Sequence, residues 1–330
     1  MTQVRDAKVG SSSASETISA LRKAFGAPKW KDLGIVAAFL ALFIGLTIAS
    51  PAFLTSTNLR NLLEQWAPIG IIACAGTLVI IAGGFDLSVG AIYAIAGVIA
   101  AKVTNSTDPA VGALAGIIAG LLIGTANGAV VTVGRINSFM ATLASSIMIS
   151  GFALALSGGF LVSVTDPGFT KLGRGEFLGL KYSVWLWIVI ALVSAFALAR
   201  SVYGRYIYSS GGNADAARLS GVPVNLIKAS TFALSGMAAG LAGVIVASRS
   251  ATGQADVGTG IELTVIASVV VGGTSILGGE GAIWRTILGV LIVAMIGNGF
   301  NLLNVDPVYR QVFEGAIILG AVGLDSWSRR

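Results

Sequence analysis

"APIGIIACAGTLVIIAGGFDLSVGAIYAIAGVIAAKV", residues 67 to 103, is apolar almost throughout. At 37 residues it is about twice what one helix needs to cross a hydrocarbon core. The run therefore has to be interrupted, and the break is written at its centre, "AGGFDLSVGA", 82 to 91. Gly83 and Gly84 suit the end of one helix. Asp86 suits the N-cap of the next, its carboxylate accepting from the amide of Ser88 or Val89 and facing the positive helix end. Irregular backbone at membrane depth survives only where protein or a water-filled cavity covers it. The acid thus reads in two compatible ways, as a cap in a turn or as a group lining a polar path.

The whole chain extends this pattern. Its 330 residues are 55% hydrophobic and 11% charged, with a mean hydropathy of +0.86, whereas a soluble domain carries roughly 25% charged residues. This composition predicts an all-α, polytopic membrane protein with about ten transmembrane helices and Gly-rich broken segments. The apolar runs place spans at 33–50, 67–83, 87–103, 110–133, 139–157, 183–199, 229–248, 260–276, 283–303 and 309–324. All seven prolines fall at or near run edges, and most tryptophans, Trp66 and Trp187 among them, lie near run ends, where an interfacial belt puts them. There is no histidine and one cysteine, Cys74, placed mid-run, which excludes disulfides, His-based catalysis and Cys/His metal sites. No cofactor is expected.

Domain organisation follows. Residues 1–32 form a polar, basic cytoplasmic tail, 33–325 the transmembrane domain with a cytoplasmic loop at 200–228, and 326–330 a cytoplasmic C-terminus. With the N-terminus inside, inner segments hold Arg5, Lys8, Arg22, Lys23, Lys29, Lys31, Arg135, Arg200, Arg205, Arg218, Lys228, Arg285, Arg329 and Arg330. Outer segments hold Arg60, Lys102, Lys171, Arg174, Lys181, Arg249 and Arg310, so the basic bias favours this orientation. The net charge of +6 is read the same way, as topology rather than as a nucleic-acid surface.

Through "GALAGIIAGLLIGTANG", Gly112, Gly116, Gly120, Gly124 and Gly128 recur every four residues. They make a slowly winding smooth stripe on which another helix can pack closely. Asn127, beside the last of them, is either interhelical glue or a ligand contact. A second Gly-rich interruption, "GGTSILGGEGAIW" at 272 to 284, echoes the first weakly and marks another non-helical turn. Asp86, Ser88, Asn127, Asn137, Asn298 and Asn301 are the candidates for a translocation path or gate.

Within the 200–228 loop, "GGNADAARLSGV" holds a miniature helix with both end signals. Asn213 is the N-cap, Asp215 sits in the first turn, Arg218 in the last, and Gly221 followed by Pro223 stops it. About two turns are marginal alone. The small face of Ala214, Ala216 and Ala217 with Leu219 therefore suits a socket on another protein, or packing on the chain's own span ends.

"DAARLSG" resembles the Glu-Ala-Ala-x-x-x-Gly loop of permease subunits of ATP-binding-cassette importers, with Asp215 in place of Glu. Together with "GGFDLSVG", "RINSFMATLASSIMISGFALALSGG", "IELTVIASVVVGGTSILGGEGAIW" and "NGFNLLNVDPVYRQVFEGAIILGAV", it resembles the ordered signature blocks of the ribose/xylose/arabinose-type sugar permeases, from about residue 58 to 325. The resemblance implies a permease paired with a second copy of itself or a close relative in the inner membrane. It also implies two cytoplasmic ATP-binding-cassette domains docked on the 213–221 helices and a periplasmic sugar-binding protein outside. Ser138, Thr264, Glu280 and Arg285 stand where members commonly carry Pro, Asp, Arg and Gly. The chain has no G-x-x-x-x-G-K-[ST] phosphate loop, so ATP hydrolysis is expected in a separate subunit rather than here.

Two other readings stay open. The same machinery can carry a branched-chain amino acid, a nucleoside or an autoinducer sugar. A stand-alone secondary transporter or channel is the alternative from another class, but it needs acidic or His relays inside the bundle, and only Asp86, Glu262 and Glu314 offer themselves.

Overall fold

The computed structural model describes residues 30–306 and, beyond them, positions 309, 312, 313, 315, 316, 319, 320 and 323. The segments 1–29 and 324–330 lie outside the described residues, and the span expected at 309–324 does so in part, its described positions being helical.

The chain runs α1 (Trp30–Ala49), α2 (Ser56–Ile81), α3 (Val89–Ser106), α4 (Pro109–Thr132) and α5 (Ser138–Ser157). A connecting segment follows with β1 (Val162–Ser163), α6 (Lys171–Arg174), β2 (Glu176–Phe177) and β3 (Leu180–Lys181). Then come α7 (Tyr182–Arg200), α8 (Val202–Gly212), α9 (Ala214–Leu219), α10 (Val224–Ser250), β4 (Thr252–Gly253), α11 (Ile261–Val271) and α12 (Ile283–Leu302). The strands are two residues each: β1 pairs antiparallel with β4 and β2 with β3. The protein is all-α.

Among the described residues, seven helices are long and apolar enough to cross a membrane: α2, α3, α4, α5, α7, α10 and α12. Side-chain caps start several of them. Thr55 accepts from the Asn58 amide at the head of α2, Asp108 from Ala110 at α4 with Pro109 in its first turn, and Asn137 from Phe139 at α5. Gly158, at φ 68, closes α5 in a left-handed conformation. α2 and α3 bury most of their length in the core, whereas α4, α5 and α7 turn Leu122, Ile147 and Phe196 outward. Bare apolar faces on otherwise well-capped helices are what a hydrocarbon solvent calls for.

Four expectations are corrected. The span placed at 260–276 is an 11-residue helix, α11, only about 16 Å long and too short to cross by itself. The chain before it is non-helical and lies against α3, with Gly253 beside Val98 and Gly258 on the Gly90 backbone. The loop expected at 200–228 contains α8 as well as the small helix, and α10 already begins at Val224. Pro68 stands inside α2, because the polar segment from Ser56 joins the apolar run in one helix. Trp66 and Trp187 are core residues, 6% and 5% exposed, rather than members of an interfacial belt.

The glycine stripe of α4 faces α10 and α3. A Cβ at Gly116 would meet Ala96 O at 2.6 Å, one at Gly124 would meet Gly236 Cα at 2.9 Å, and one at Gly128 would meet Ala229 O at 2.7 Å. Gly112 lies on Ala100 and Thr104, and Gly120 on Gly236 and Gly240. The partner helix also supplies glycines at the closest crossing, so α4 and α10 approach backbone to backbone.

Candidate functional site

The 82–88 break begins where α2 runs out. Gly83 takes φ 79, which glycine adopts without steric cost. Its amide donates to Ile80 O at 2.9 Å while that of Gly84 donates to Val79 O at 3.0 Å, the paired closing bonds of a glycine C-terminal motif. The next amides have no helix to donate into, so each needs a partner from elsewhere. Phe85 N–H donates to Ser138 Oγ at 3.1 Å and Leu87 N–H to Thr142 Oγ1 at 3.0 Å, both on the first turns of α5.

Asp86 is not the N-cap of α3. Ser88 holds that position without a side-chain cap bond, and Asp86, two residues earlier, closes a tight turn instead. Its Oδ1 accepts from Ser88 N–H at 3.0 Å and from Ser88 Oγ–H at 2.5 Å. Its Oδ2 accepts from Ser235 Oγ–H of α10 at 2.7 Å. Asn127 of α4 donates through Nδ2 to Ser88 Oγ at 2.8 Å. Asp86 and Asn127 are 7% and 5% exposed and Ser88 is fully buried, so three donors converge on a buried carboxylate and tie the break to α4 and α10. Ser235 lies eleven residues beyond Val224, about 16 Å along α10. The cluster is therefore deep in the bundle.

The six path candidates do not form one group. Asp86, Ser88 and Asn127 are brought together. Asn137 caps α5, accepting from Phe139 N–H at 3.0 Å. Asn298 exchanges two amide bonds with Asn58, at 2.8 and 3.0 Å, pinning α12 to α2. Asn301 is exposed. Sequence reasoning missed Ser235, Ser138 and Thr142, since an isolated hydroxyl in an apolar run carries no local sign of what it faces.

Beneath the first break lies a second, at 272–282, built alike. Gly273 takes φ 75 and donates to Val270 O at 2.7 Å, while Thr274 donates to Val269 O at 3.2 Å. The two breaks touch: Gly279 N–H donates to Ile81 O at 2.8 Å, and a Cβ at Gly278 would lie 3.0 Å from Gly83 Cα. The C-terminal end of α8 wedges into the same place. A Cβ at Gly211 would overlap Ile81 O, and one at Gly279 would lie 2.7 Å from Gly212 Cα. Tyr208 of α8 donates its hydroxyl to Gly281 O at 2.8 Å, tying α8 to the second break. The glycine pairs at 83–84, 211–212, 272–273 and 278–279 were the readable signal for this junction.

α9 continues directly from it. Asn213 Oδ1 accepts from the amides of Asp215 and Ala216 at 3.1 and 2.9 Å. Arg218 Nη1 meets Asp215 Oδ1 at 2.8 Å, and Gly221 at φ 81 closes the helix. Ala217 is buried against the chain's own helices, Ala214 is half-buried and Ala216 is exposed. Leu219, 91% exposed, faces away from everything described. A capped two-turn helix is thus seated on one face and bare on the other.

A family profile described as branched-chain amino acid transport system / permease component matches residues 58–322. The L-arabinose ABC transporter permease protein AraH of Azospirillum brasilense is 39% identical over 297 residues, covering 90% of this chain and 88% of that protein. The ribose import permease protein RbsC of Escherichia coli K12 is 39% identical, covering 88% and 92%. That of Bacillus subtilis 168 is 40% identical, covering 87% and 91%. No solved structure matches.

Proposed function

The chain belongs to the family of branched-chain amino acid transport system permease components, and on that premise we propose that it is the membrane-spanning permease subunit of an ATP-binding-cassette importer for a monosaccharide of the ribose or arabinose class. It sits in the inner membrane as a multi-pass protein with both termini and α8–α9 on the cytoplasmic side, a reading supported by the basic-residue bias. A second permease copy, two cytoplasmic ATPase subunits and a periplasmic sugar-binding protein complete the machine. ATP is hydrolysed in the ATPase subunits.

The observation that carries the reading is the bare face of α9, with Leu219 91% exposed, at the end of a rigid glycine contact on the 82–88 break. An ATPase docked on α9 moves α8 with it. The Gly211, Gly83 and Gly278–Gly279 backbones touch with no side chains between them to absorb the shift, so movement of α8 is passed to both breaks. The Asp86 cluster then carries it to α4 and α10. The cargo is neutral, and hydroxyl and amide groups suffice to pass it.

Leu219→Asp tests this in the complete transporter reconstituted with its ATPase and binding protein. The side chain supports nothing in the fold, so permease yield should hold while ATPase co-purification and sugar uptake fall at least tenfold, the loss set by one buried apolar anchor of about 1.5–3 kcal/mol. Wild-type co-purification together with wild-type uptake would remove α9 as the docking element.

A further inference from the structure

At the end of the bundle that carries α9, a cavity of about 780 Å³ opens between the 82–84 turn, the α4–α5 connection and the first turns of α10. Three cations line it from three separate elements: Arg135 from the connection, Arg218 from α9 and Lys228 from α10. Among the described residues no acidic side chain lines it. Arg218 is engaged on one side by Asp215. Arg135 and Lys228 form no ion pair among the described residues. The half-buried Lys228 ammonium stands 3.6 Å from the position a Cβ would take on Gly83, directly over the break.

The positive-inside bias explains cations at this end of the bundle, but not their convergence from three elements on one cavity with only Arg218 paired. A neutral sugar does not need them. The remaining lining is suited to an oxyanion. Asn137 and Ser138 bring the N-terminal end of α5, a 20-residue helix, to the cavity. On the connection itself, Val133 is 81% and Ile136 48% exposed, followed by Met140 at 63%, so an apolar rim adjoins the charged hollow.

We propose that this cavity binds a phosphate-bearing anion, the headgroup of an anionic lipid or free phosphate, held by Lys228 and Arg135 against the α5 N-terminus. Bound there, the anion bridges α10, the α4–α5 connection and α9, and braces the 82–84 turn beside the glycine junction. The site does not depend on the transport assignment, because its test reads equilibrium binding to the permease alone.

The full-length permease, purified in neutral detergent, is titrated with phosphatidic acid and with phosphatidylcholine of the same acyl chains, and binding is counted by native mass spectrometry. In a second arm inorganic phosphate is added as competitor. Wild type should retain phosphatidic acid preferentially, and Arg135→Gln with Lys228→Gln should bind it roughly thirtyfold more weakly, the product of two surface charges. Lys228→Arg should restore binding. Should the double variant fail to fold, Lys228→Gln alone should weaken binding about fivefold against Lys228→Arg. Displacement by millimolar phosphate identifies a free anion as the natural occupant, and resistance to it identifies the lipid headgroup. Equal retention of the two lipids with no phosphate binding, or a neutralised variant that binds as wild type does, overturns the proposal.

Discussion

Alanine at Gly120 should loosen the bundle where α4 crosses α10, even though alanine favours a helix. A Cβ there would lie 2.9 Å from Gly240 Cα and 3.1 Å from Gly240 N, and closer still to Gly236 O. Carbon atoms rest comfortably at about 3.5 Å, so the Gly240 contact alone makes α4 and α10 part by at least roughly 0.6 Å. The obstructing atoms are backbone, and no change of rotamer relieves them. A gap of that size forfeits about a quarter to a half of the dispersion energy along the shared stripe, and overpacking of this kind costs about 1–3 kcal/mol. Against it stands the helix-propensity gain of alanine over glycine, about 1 kcal/mol. Gly45→Ala on α1, where nothing lies within 4 Å, receives the gain without the clash. The difference between the two variants therefore isolates the close approach. At about 2–4 °C per kcal/mol, Gly120→Ala should melt roughly 2–12 °C below Gly45→Ala when loss of monodisperse protein is followed with temperature in one detergent. Coincidence within about 1 °C would mean that α4 and α10 do not meet as described.

Three further outcomes follow from the break and its surroundings. Asp86→Asn keeps an acceptor for Ser88 and should retain partial sugar uptake, while Asp86→Ala strands the Ser88 and Ser235 hydroxyls at about 1–3 kcal/mol and should abolish it; near-wild-type uptake in both would show that the glycines alone hold the break. Ser138→Pro places proline at the first position of α5, where a helix accepts it, with Asn137 already extended at ψ 130. Its cost, about 1–3 kcal/mol read as a lower melting temperature, is then the lost acceptor for Phe85 N–H, and an unchanged melting curve would show that bond to be dispensable. Cys74 is buried and is the sole cysteine, so introduced thiols report without background. Cysteine at exposed Thr165 should react with an impermeant reagent in cells with a permeable outer membrane, and cysteine at exposed Ser220 only after the inner membrane is opened, the reverse pattern inverting the orientation.

The sequence by itself determined what is local. Apolar run length gave a helical membrane protein, because a bilayer leaves the backbone almost no other way to satisfy its amides. The doubled run at 67–103 required a break, and Gly83 located it. Asn213, Arg218 and Gly221 delimited α9, since cap chemistry acts within a few residues. The spacing of Gly112 to Gly128 showed a smooth face, though not which helix it met. Run length failed at 260–276, where apolar residues continue through chain that is only partly helical and turns at Gly272 against the backbone of Arg285 and Thr286 in α12. It could not reveal α8, whose polar sequence owes its helix to docking on α7, α10 and the glycine junction. The tertiary structure alone decided the partners of the break. Asp86 meets Ser235, 149 residues away, and Phe85 and Leu87 donate to Ser138 and Thr142, more than fifty residues away. Gly211, Gly83 and Gly278 converge from three separate segments. The physical reason is that broken backbone in a low-dielectric bundle must be satisfied by whatever polar atom the packing brings within 3 Å or so, and packing is set by the shapes of whole helices rather than by neighbours in the chain.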